Sequence, residues 1–242
     1  MIPVTIFNLS GIYECQDIYN CPGFPVIDCK NIEGTNGYCD EEAKAKLKKR
    51  INTCPLNGIN FIDAGNFHYM SKFTTDRIEE DFTLVVFDHH SDMKESSFFG
   101  MLSCGSWILE VAKTNPHLKR IVLLGISKEQ KELIPETDIE LISFLDEDIK
   151  RKKKIDIKKD YPIYISIDKD VLDKSVLHTS WDQGIITEAE LIACLDSILE
   201  NAKLIGVDIN GELEPHPGIT DDDITNQEFN KRMINYFSDK IL

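Results

Sequence analysis

The stretch from residue 83 to residue 92, TLVVFDHHSD, joins an apolar run to a cluster of potential metal ligands. The run 83–87 is β-branched and apolar, and its length suits a buried strand better than a helix. Four of the next five residues can bind a metal ion: Asp88, His89, His90 and Asp92. Divalent cations bind carboxylate oxygens and imidazole nitrogens, and the ligand sites of open α/β sheets lie where strands end. The stretch therefore predicts the core of a metal site.

Polar residues also follow three other apolar runs. The runs and the polar segments after them are 59–62 with 63–68, 163–167 with 168–173, and 204–207 with 208–212. Residues two apart at an extended strand end point the same way, so Asp168 and Asp170 can face one site. In the first segment Gly65 and Asn66 mark a turn, and His68 lies just beyond it. Because parallel strands end at one edge of a sheet, we expect these side chains to converge.

Six side chains from these segments form the predicted ligand set: His68, Asp88, His90, Asp92, Asp168 and Asp170. Each alone has an ordinary explanation, since a lone histidine is usually not a ligand and a lone aspartate often caps a helix. The prediction depends on their joint occurrence after separate strands. Six ligands exceed what one cation usually takes, so two cations about 3.5–4 Å apart and bridged by carboxylates fit better. A set without cysteine favours Mn²⁺ or a similar first-row ion over structural zinc.

The elements that must position these residues follow from the hydrophobic pattern. Apolar runs of strand length occur at 4–7, 25–27, 59–62, 84–87, 121–124, 141–144, 163–167 and 204–207. Segments with helical periodicity occur at 41–51, 105–113, 127–133, 187–201 and 226–237. This alternation predicts right-handed crossovers and a mostly parallel sheet covered on both faces. No Gly, Pro or Ser-rich linker divides the 242 residues, so we expect a single α/β domain over 1–242.

The chain is acidic, with a formal net charge of −15. A net acidic field does not attract nucleic acid or an anionic membrane surface, so we expect neither as a partner. The charge is compatible with a cationic substrate. The dense basic segment at 151–159, RKKKIDIKK, is interpreted as a solvated helix end and loop.

The N-terminus lacks the basic start and continuous apolar core of a secretory signal, and no apolar run reaches transmembrane length. We therefore expect a soluble, cytoplasmic protein. Seven cysteines occur without a CxxC pair, and five of them precede residue 55. This usage favours reduced, partly buried thiols over a disulfide framework.

Three segments resemble motifs of the arginase, agmatinase and formiminoglutamase family, the ureohydrolases. DHHSD at 88–92 resembles the family's DAHxD motif, and SIDKDVLD at 166–173 matches its SxDxDxxD motif. The segment 65–68 keeps the first glycine and the histidine of GGxH, with Asn66 in place of the second glycine. The resemblance covers about residues 59–215. It implies a three-layer α/β/α sandwich with an eight-stranded parallel sheet, two Mn²⁺ ions, and assembly into homo-oligomers.

The resemblance also assigns roles to individual residues. One ion would be held by His68, Asp88, Asp92 and Asp168, and the other by Asp88, His90, Asp168 and Asp170. Asp88 and Asp168 would bridge. A water activated by the two ions would attack the substrate carbon as hydroxide, with a pKa lowered from about 15.7 towards about 7, and Asp92 would orient it. The implied activity is hydrolysis of a linear C–N bond in a guanidino, ureido, formimino or amide substrate.

Several positions depart from the family pattern. Cys104 stands where the family commonly has a histidine, proposed as a proton shuttle in arginases, and a thiol needs a lowered pKa for that task. Arginases carry a substrate-binding glutamate where this chain has Gly211, and we expect Glu212 to replace it in binding or catalysis. Trp181 and Asp182 could form an aromatic and acidic wall of the substrate pocket. The arginase loops that read the amino-acid end of arginine have no counterpart here, which argues against L-arginine as the substrate.

Two other readings stay open. A metal-dependent deacetylase-type amide hydrolase could use the same fold, because a metal-activated water attacks an acyl carbon equally well. Such members use one zinc and a separate histidine pair, whereas His90 of the pair His89-His90 is already a predicted ligand. A non-catalytic relative that binds metal or ligand is the other reading, and it is compatible with Cys104 and Gly211.

Overall fold

An eight-stranded sheet runs through the computed structural model, which describes residues 2–96 and 100–240. Its strands are β1 Val4–Asn8, β2 Val26–Asp28, β4 Ile59–Ala64, β5 Phe82–Phe87, β7 Leu118–Ile126, β8 Glu140–Leu145, β9 Ile163–Asp168 and β10 Leu204–Glu212. All neighbours pair in parallel, in the order β2-β1-β4-β10-β9-β5-β7-β8. Two short strands, β3 Tyr38–Cys39 and β6 Leu102–Ser103, form a separate antiparallel pair.

Within residues 2–96 and 100–240, seven α-helices cover the sheet on both faces. They are α1 Glu41–Ile51, α2 Met70–Thr75, α3 Trp107–Thr114, α4 Lys128–Glu132, α5 Asp146–Lys150, α6 Glu188–Leu199 and α7 Asp221–Ser238. Alternate residues of β5 belong to two different hydrophobic clusters: one includes Val85 together with apolar residues of α6 and α7, and the other includes Leu84 together with those of α1 and α3. Side chains alternate between the faces of a strand, so the expected three-layer α/β/α sandwich with a parallel sheet is confirmed.

The strands whose carboxyl ends carry the predicted ligands lie close together in the sheet. β4 pairs with β10, β10 with β9, and β9 with β5. The predicted ligands follow β4, β5 and β9, so the strand order brings segments about a hundred residues apart in the chain to one edge of the sheet.

All eight predicted strands are present, but the far end of β10 differs from the prediction. Residues 208–212 were expected to form a loop, whereas the strand continues to Glu212 and is buried throughout. Polar residues inside it are paired in the core: Asp208 accepts hydrogen bonds from Asn60 Nδ2 at 2.9 Å, Tyr164 Oη at 2.7 Å and Thr74 Oγ1 at 2.6 Å. Asp208 therefore serves the core and lies outside the metal site.

Other differences concern short elements. α2 and α5 were not predicted, and α7 begins at Asp221, where Thr220 caps it and pairs reciprocally with Asp223. The basic segment 151–159 is loop beyond the end of α5, as expected, although Ile155 and Ile157 within it are buried.

No helix within 2–96 and 100–240 is both long and apolar enough to cross a membrane. All seven cysteines are free thiols, and four of them are buried: Cys29, Cys39, Cys54 and Cys194.

Candidate metal centre

His68 lies at the centre of the first group of ligand atoms. It follows β4 and a single 3-10 turn, Gly65–Phe67, which directs its ring toward the neighbouring strands. Its Nδ1 atom lies 2.9 Å from Asp92 Oδ2, 3.3 Å from Asp88 Oδ2 and 3.3 Å from Asp168 Oδ2. All four side chains are buried. They come from three different strand ends, as the sequence predicts.

His90 lies at the centre of the second group. Its Nδ1 atom is 2.9 Å from Asp170 Oδ2 and 3.5 Å from Asp88 Oδ1. The two oxygens of Asp88 therefore face two different histidines. Within the described residues, the ligand atoms form two mutually close groups, His68 with Asp88 and Asp92, and Asp88 with His90 and Asp170. Asp168 belongs to neither group, but its Oδ2 lies 3.3 Å from His68 Nδ1 and its Oδ1 accepts from the backbone N–H of Asp170 at 3.0 Å.

The charges of this site are unbalanced without cations. Burial and the neighbouring Asp88 raise the pKa of Asp92 to about 6. Burial and the other carboxylates also raise the pKa of Asp168 and of Asp170 above the ordinary range. Burial opposes protonation of His90, but hydrogen bonds to Asp170 and Asp88 outweigh it and raise the pKa of the imidazole to about 11. Like charges brought together out of water take up protons in this way unless cations neutralise them.

The donor set fits divalent cations. Asp88 Oδ2 is buried and has no hydrogen-bond partner, although His68 Nδ1 lies 3.3 Å away. Carboxylate oxygens and imidazole nitrogens surround a cavity of about 40 Å³, which has room for roughly three water-sized groups. These ligands suit Mn²⁺ and related first-row ions.

Three further side chains, which the sequence reasoning did not single out, fix the ligands. Trp107 Nε1 donates to Asp92 Oδ2 at 2.7 Å, and Asn210 Nδ2 donates to Asp168 Oδ2 at 2.8 Å. His68 Nε2 lies 2.9 Å from Ser166 Oγ. Partners of this kind hold the orientation and tautomer of metal ligands. Ser166 opens the SxDxDxxD motif and Asn210 lies in the polar segment 208–212, so both positions were visible in the sequence, whereas Trp107 gave no local signal.

The model of the protein family described as Arginase family matches residues 8–230 of the chain. The chain belongs to the arginase family. A relative from Thermotoga maritima, described as an uncharacterized protein, is 34% identical over 218 residues, which is 89% of this chain and 82% of the relative.

Several solved structures share the fold at low identity. The Bacillus subtilis formimidoylglutamase has a TM-score of 0.66 at 14% identity, with 98% of this chain and 85% of that chain covered. The Bacillus caldovelox arginase has a TM-score of 0.61 at 15% identity, with 97% and 98% covered. A triple mutant of the T. brucei arginase-like protein, bound with Mn²⁺, has a TM-score of 0.62 at 18% identity, with 96% and 89% covered.

Two residues that the sequence analysis singled out beyond the ligand set, Trp181 and Cys104, border the cavity of this arginase-family chain. Trp181 is 40% exposed, lies against Gly65, and is held by a hydrogen bond from its Nε1 to Asn66 Oδ1 at 3.0 Å. Asn66, the residue in place of the second motif glycine, thus positions Trp181. Cys104 also lines the cavity. Burial and the carboxylate of Asp92 raise the pKa of its thiol to about 12 when no cation is bound.

Asp182 and Glu212 do not lie where the sequence reasoning placed them. Neither borders the cavity among the described residues, and Asp182 is exposed. Glu212 is buried in β10 and pairs with Lys169 Nζ at 2.5 Å. The substrate-binding role expected for Glu212 is therefore corrected, because its carboxylate is already committed to a buried ammonium group.

Lys169 and Glu212 belong to a buried polar network behind the metal loop. Lys169 Nζ also donates to Asn226 Oδ1 at 3.0 Å. Glu212 accepts from Asn230 Nδ2 at 2.6 Å and from Gln16 Nε2 at 3.1 Å. Lys169 separates the ligands Asp168 and Asp170 in the sequence, so this network anchors their loop to α7 and to the N-terminal segment.

Position 211 requires a glycine because the backbone of β10 passes close to the predicted ligand Asp168 there. It has φ +92°, and a Cβ there would lie 2.3 Å from Asp168 Oδ1 and 2.8 Å from Lys169 N. A glutamate at position 211 would therefore collide with the metal loop. The backbone path of β10 excludes the side chain that arginases use at this position.

Replacement of Glu212 by Ala is expected to lower the free energy of unfolding by about 3–5 kcal/mol, because it leaves the buried Lys169 ammonium unpaired. The double variant Lys169→Met/Glu212→Leu is expected to recover most of that loss. Glu80→Ala, which breaks an exposed pair with Lys203, should leave stability nearly unchanged. Chemical denaturation measures all three. Unchanged stability of Glu212→Ala would contradict the assignment.

Substitution of Gly211 by Ala is expected to displace Asp168 and to weaken Mn²⁺ binding at least about tenfold. Gly218→Ala is the matched control, because Gly218 has a similar φ of +82° but no heavy atom within 4 Å of where a Cβ would lie. Both variants carry the backbone strain of a side chain at positive φ. Isothermal titration with Mn²⁺ separates them, and equal affinities in the two variants would refute the role of the close approach.

Proposed function

We propose that this protein hydrolyses a linear C–N bond in a guanidino, ureido, formimino or related amide substrate with two bound divalent cations, Mn²⁺ or a similar first-row ion. The observation that carries the proposal is the position of Asp88 between two histidines. Asp88 Oδ2 is 3.3 Å from His68 and Asp88 Oδ1 is 3.5 Å from His90. One carboxylate shared by two ligand groups is the arrangement that a two-metal site needs.

Each side chain around the cavity has a defined task in this proposal. His68, Asp92 and Asp168 would hold one cation, and His90 and Asp170, again with Asp168, the other, with Asp88 common to both. When bound, two such cations lower the pKa of a water from about 15.7 towards about 7, which makes it a nucleophile at neutral pH.

The protein's own groups would orient the reactants. Asp92 is fixed by Trp107 at 2.7 Å and borders the cavity, so its carboxylate can orient the attacking water. Trp181 forms one wall, with its ring centroid 5.6 Å from that of His90, and would pack against the planar reacting group and exclude bulk water. Cys104 lines the cavity without an imidazole, so we assign it a packing role in place of the proton transfer proposed for the family histidine.

The comparisons support the reaction class at the level of the family. The neighbours include an arginase and a formimidoylglutamase, and a mutant of the arginase-like neighbour binds Mn²⁺. These likenesses lie below 20% identity, so the substrate and the metal are proposed here from the site itself.

A deacetylase-type reaction is less well supported. It needs a separate pair of histidines beside a single zinc, and His89 does not border the cavity within the described part of the chain. A non-catalytic role is favoured only by Cys104 and Gly211, which stand where the family has a histidine and arginases have a glutamate. A non-catalytic protein would bind metal without turnover, so measuring turnover and metal content together distinguishes it from a hydrolase.

We also propose a homo-oligomer acting in the cytoplasm, without nucleic acid or membrane partners. The net charge of −15 and the usual assembly of the family support this proposal. Light scattering on the purified protein measures the subunit number.

Turnover is tested with Mn²⁺-loaded protein and a panel of agmatine, arginine, 4-guanidinobutyrate, 3-guanidinopropionate and formiminoglutamate. We expect release of urea, ammonia or formamide from at least one compound, and loss of that activity after chelation because the water is then no longer activated. Arginine is expected to be a poor substrate. Two bound ions without turnover of the panel or of acetylated amines would favour the non-catalytic reading.

Replacement of Asp168 by Ala is expected to abolish stable occupancy of both ions, since Asp168 contacts the His68 group and is proposed to bridge. Asp173→Ala is the control, because Asp173 belongs to the same motif but does not border the cavity. Metal content is measured by atomic emission after gel filtration, with circular dichroism to confirm folding. A folded Asp168→Ala variant that still holds two ions would remove the bridging assignment.

A further inference from the structure

The charged groups at the cavity mouth indicate which substrate charge the protein would bind, provided that it is the hydrolase proposed above. The four aspartates of the site, Asp88, Asp92, Asp168 and Asp170, would balance the charge of two divalent cations. These aspartates would therefore offer a cationic substrate group no net attraction. Apart from the activated water, the charge at the cavity is then set by the other side chains that line it.

Lys94 is the one charged side chain that lines the cavity apart from the predicted ligands, within the described ranges. Its backbone N–H donates to Gly105 O at 3.0 Å. Its stem runs close to Gly105, where a Cβ would lie 3.8 Å from Lys94 Cδ. Lys94 is exposed and forms no ion pair with any residue the structure describes. Its ammonium group is thus available to a ligand at the mouth.

Acidic groups that could bind a cationic substrate are directed elsewhere. Gly211 occupies the position of the arginase glutamate, and Glu212 is paired with Lys169 at 2.5 Å. Glu214 lies outside the cavity lining, where its Oε1 accepts from Asn66 Nδ2 at 2.7 Å. Asp182 is exposed and also does not border the cavity. A guanidinium or ammonium tail would meet Lys94 without a free carboxylate in the cavity wall.

From these contacts we infer that the substrate carries a carboxylate at the end remote from the scissile C–N bond, and that Lys94 binds it. The reacting group lies between the ligands and Trp181, and the carboxylate reaches the mouth beside Gly105. The substrate class is therefore a guanidino or formimino carboxylic acid, and amines such as agmatine are disfavoured by repulsion from Lys94. The acidic charge of the whole chain does not contradict this, because the charge lining the cavity is what a bound tail contacts.

A matched substrate pair tests the inference in the Mn²⁺-loaded protein. 4-Guanidinobutyrate and agmatine share the guanidino group and a similar length but end in a carboxylate and an ammonium group. We expect kcat/KM for 4-guanidinobutyrate to exceed that for agmatine at least about tenfold, as a charge-assisted hydrogen bond provides. Lys94→Met should lower the value for 4-guanidinobutyrate by about tenfold, mainly through KM, and should not lower that for agmatine. Lys94→Glu should reverse the preference.

The control is Lys113→Met, which removes an exposed lysine paired with Glu95 at 2.9 Å and should change neither substrate. Equal effects of Lys94→Met on both substrates, or a preference for agmatine in the unchanged protein, would overturn the inference.

Binding of the reaction products keeps the inference testable if no compound is turned over. Calorimetric titration with 4-aminobutyrate and with 1,4-diaminobutane compares the same two tails without requiring catalysis. We expect 4-aminobutyrate to bind more tightly, and Lys94→Met to weaken its binding about tenfold. Absence of turnover with this binding pattern would refute the proposed hydrolase and leave the Lys94 subsite supported. Turnover without any dependence on Lys94 would refute the subsite and leave the hydrolase supported.

Discussion

Four buried carboxylates at one edge of a parallel sheet are the constraint on which the rest of the structure depends. Placed together out of water, they repel one another, and only cations or protons relieve that repulsion. The strand order puts β4, β10, β9 and β5 side by side, so the repulsion is concentrated at one point. Ser166, Trp107 and Asn210 hold individual ligands in place against it. Stability of this edge and binding of metal are therefore two aspects of the same arrangement.

The Lys169–Glu212 pair neutralises a second buried charge, the Lys169 ammonium group, next to the four carboxylates. A buried ammonium group between two ligand aspartates could compete for their oxygens. Glu212 and Asn226 hold it on the opposite side of the loop, and Gly211 lets β10 pass close enough for this. Glu212, which was expected to bind substrate, thus supports the loop instead, and among the residues that the structure describes Lys94 is the charged side chain that lines the cavity besides the predicted ligands. The absence of a glutamate at position 211 and the pairing of Glu212 with Lys169 both follow from the path of the β10 backbone.

Much of the fold and of the ligand set could be predicted from the sequence, and the failures share a physical reason. Apolar runs of buried strands are local signals, and ligands at strand ends converge because parallel strands end together. The end of β10 was missed because Asp208 and Glu212 look like loop residues until their distant partners, such as Tyr164, are known. α2 was missed because it is only six residues long and most of those residues are polar although they are buried, so it shows no amphipathic pattern. Hydrogen bonds such as Trp107 to Asp92 are set by tertiary packing and leave no trace in local sequence.

The dependence of the metal loop on α7 has a consequence for how the protein matures during translation. Ligands between residues 68 and 170 leave the ribosome well before residues 226 and 230, whose amides complete the shell around Lys169 and Glu212. A nascent chain that lacks α7 carries every predicted ligand but holds Lys169 and Glu212 without those partners. The polar shell behind the predicted ligands is thus completed only after α7 has been synthesised, more than fifty residues beyond Asp170.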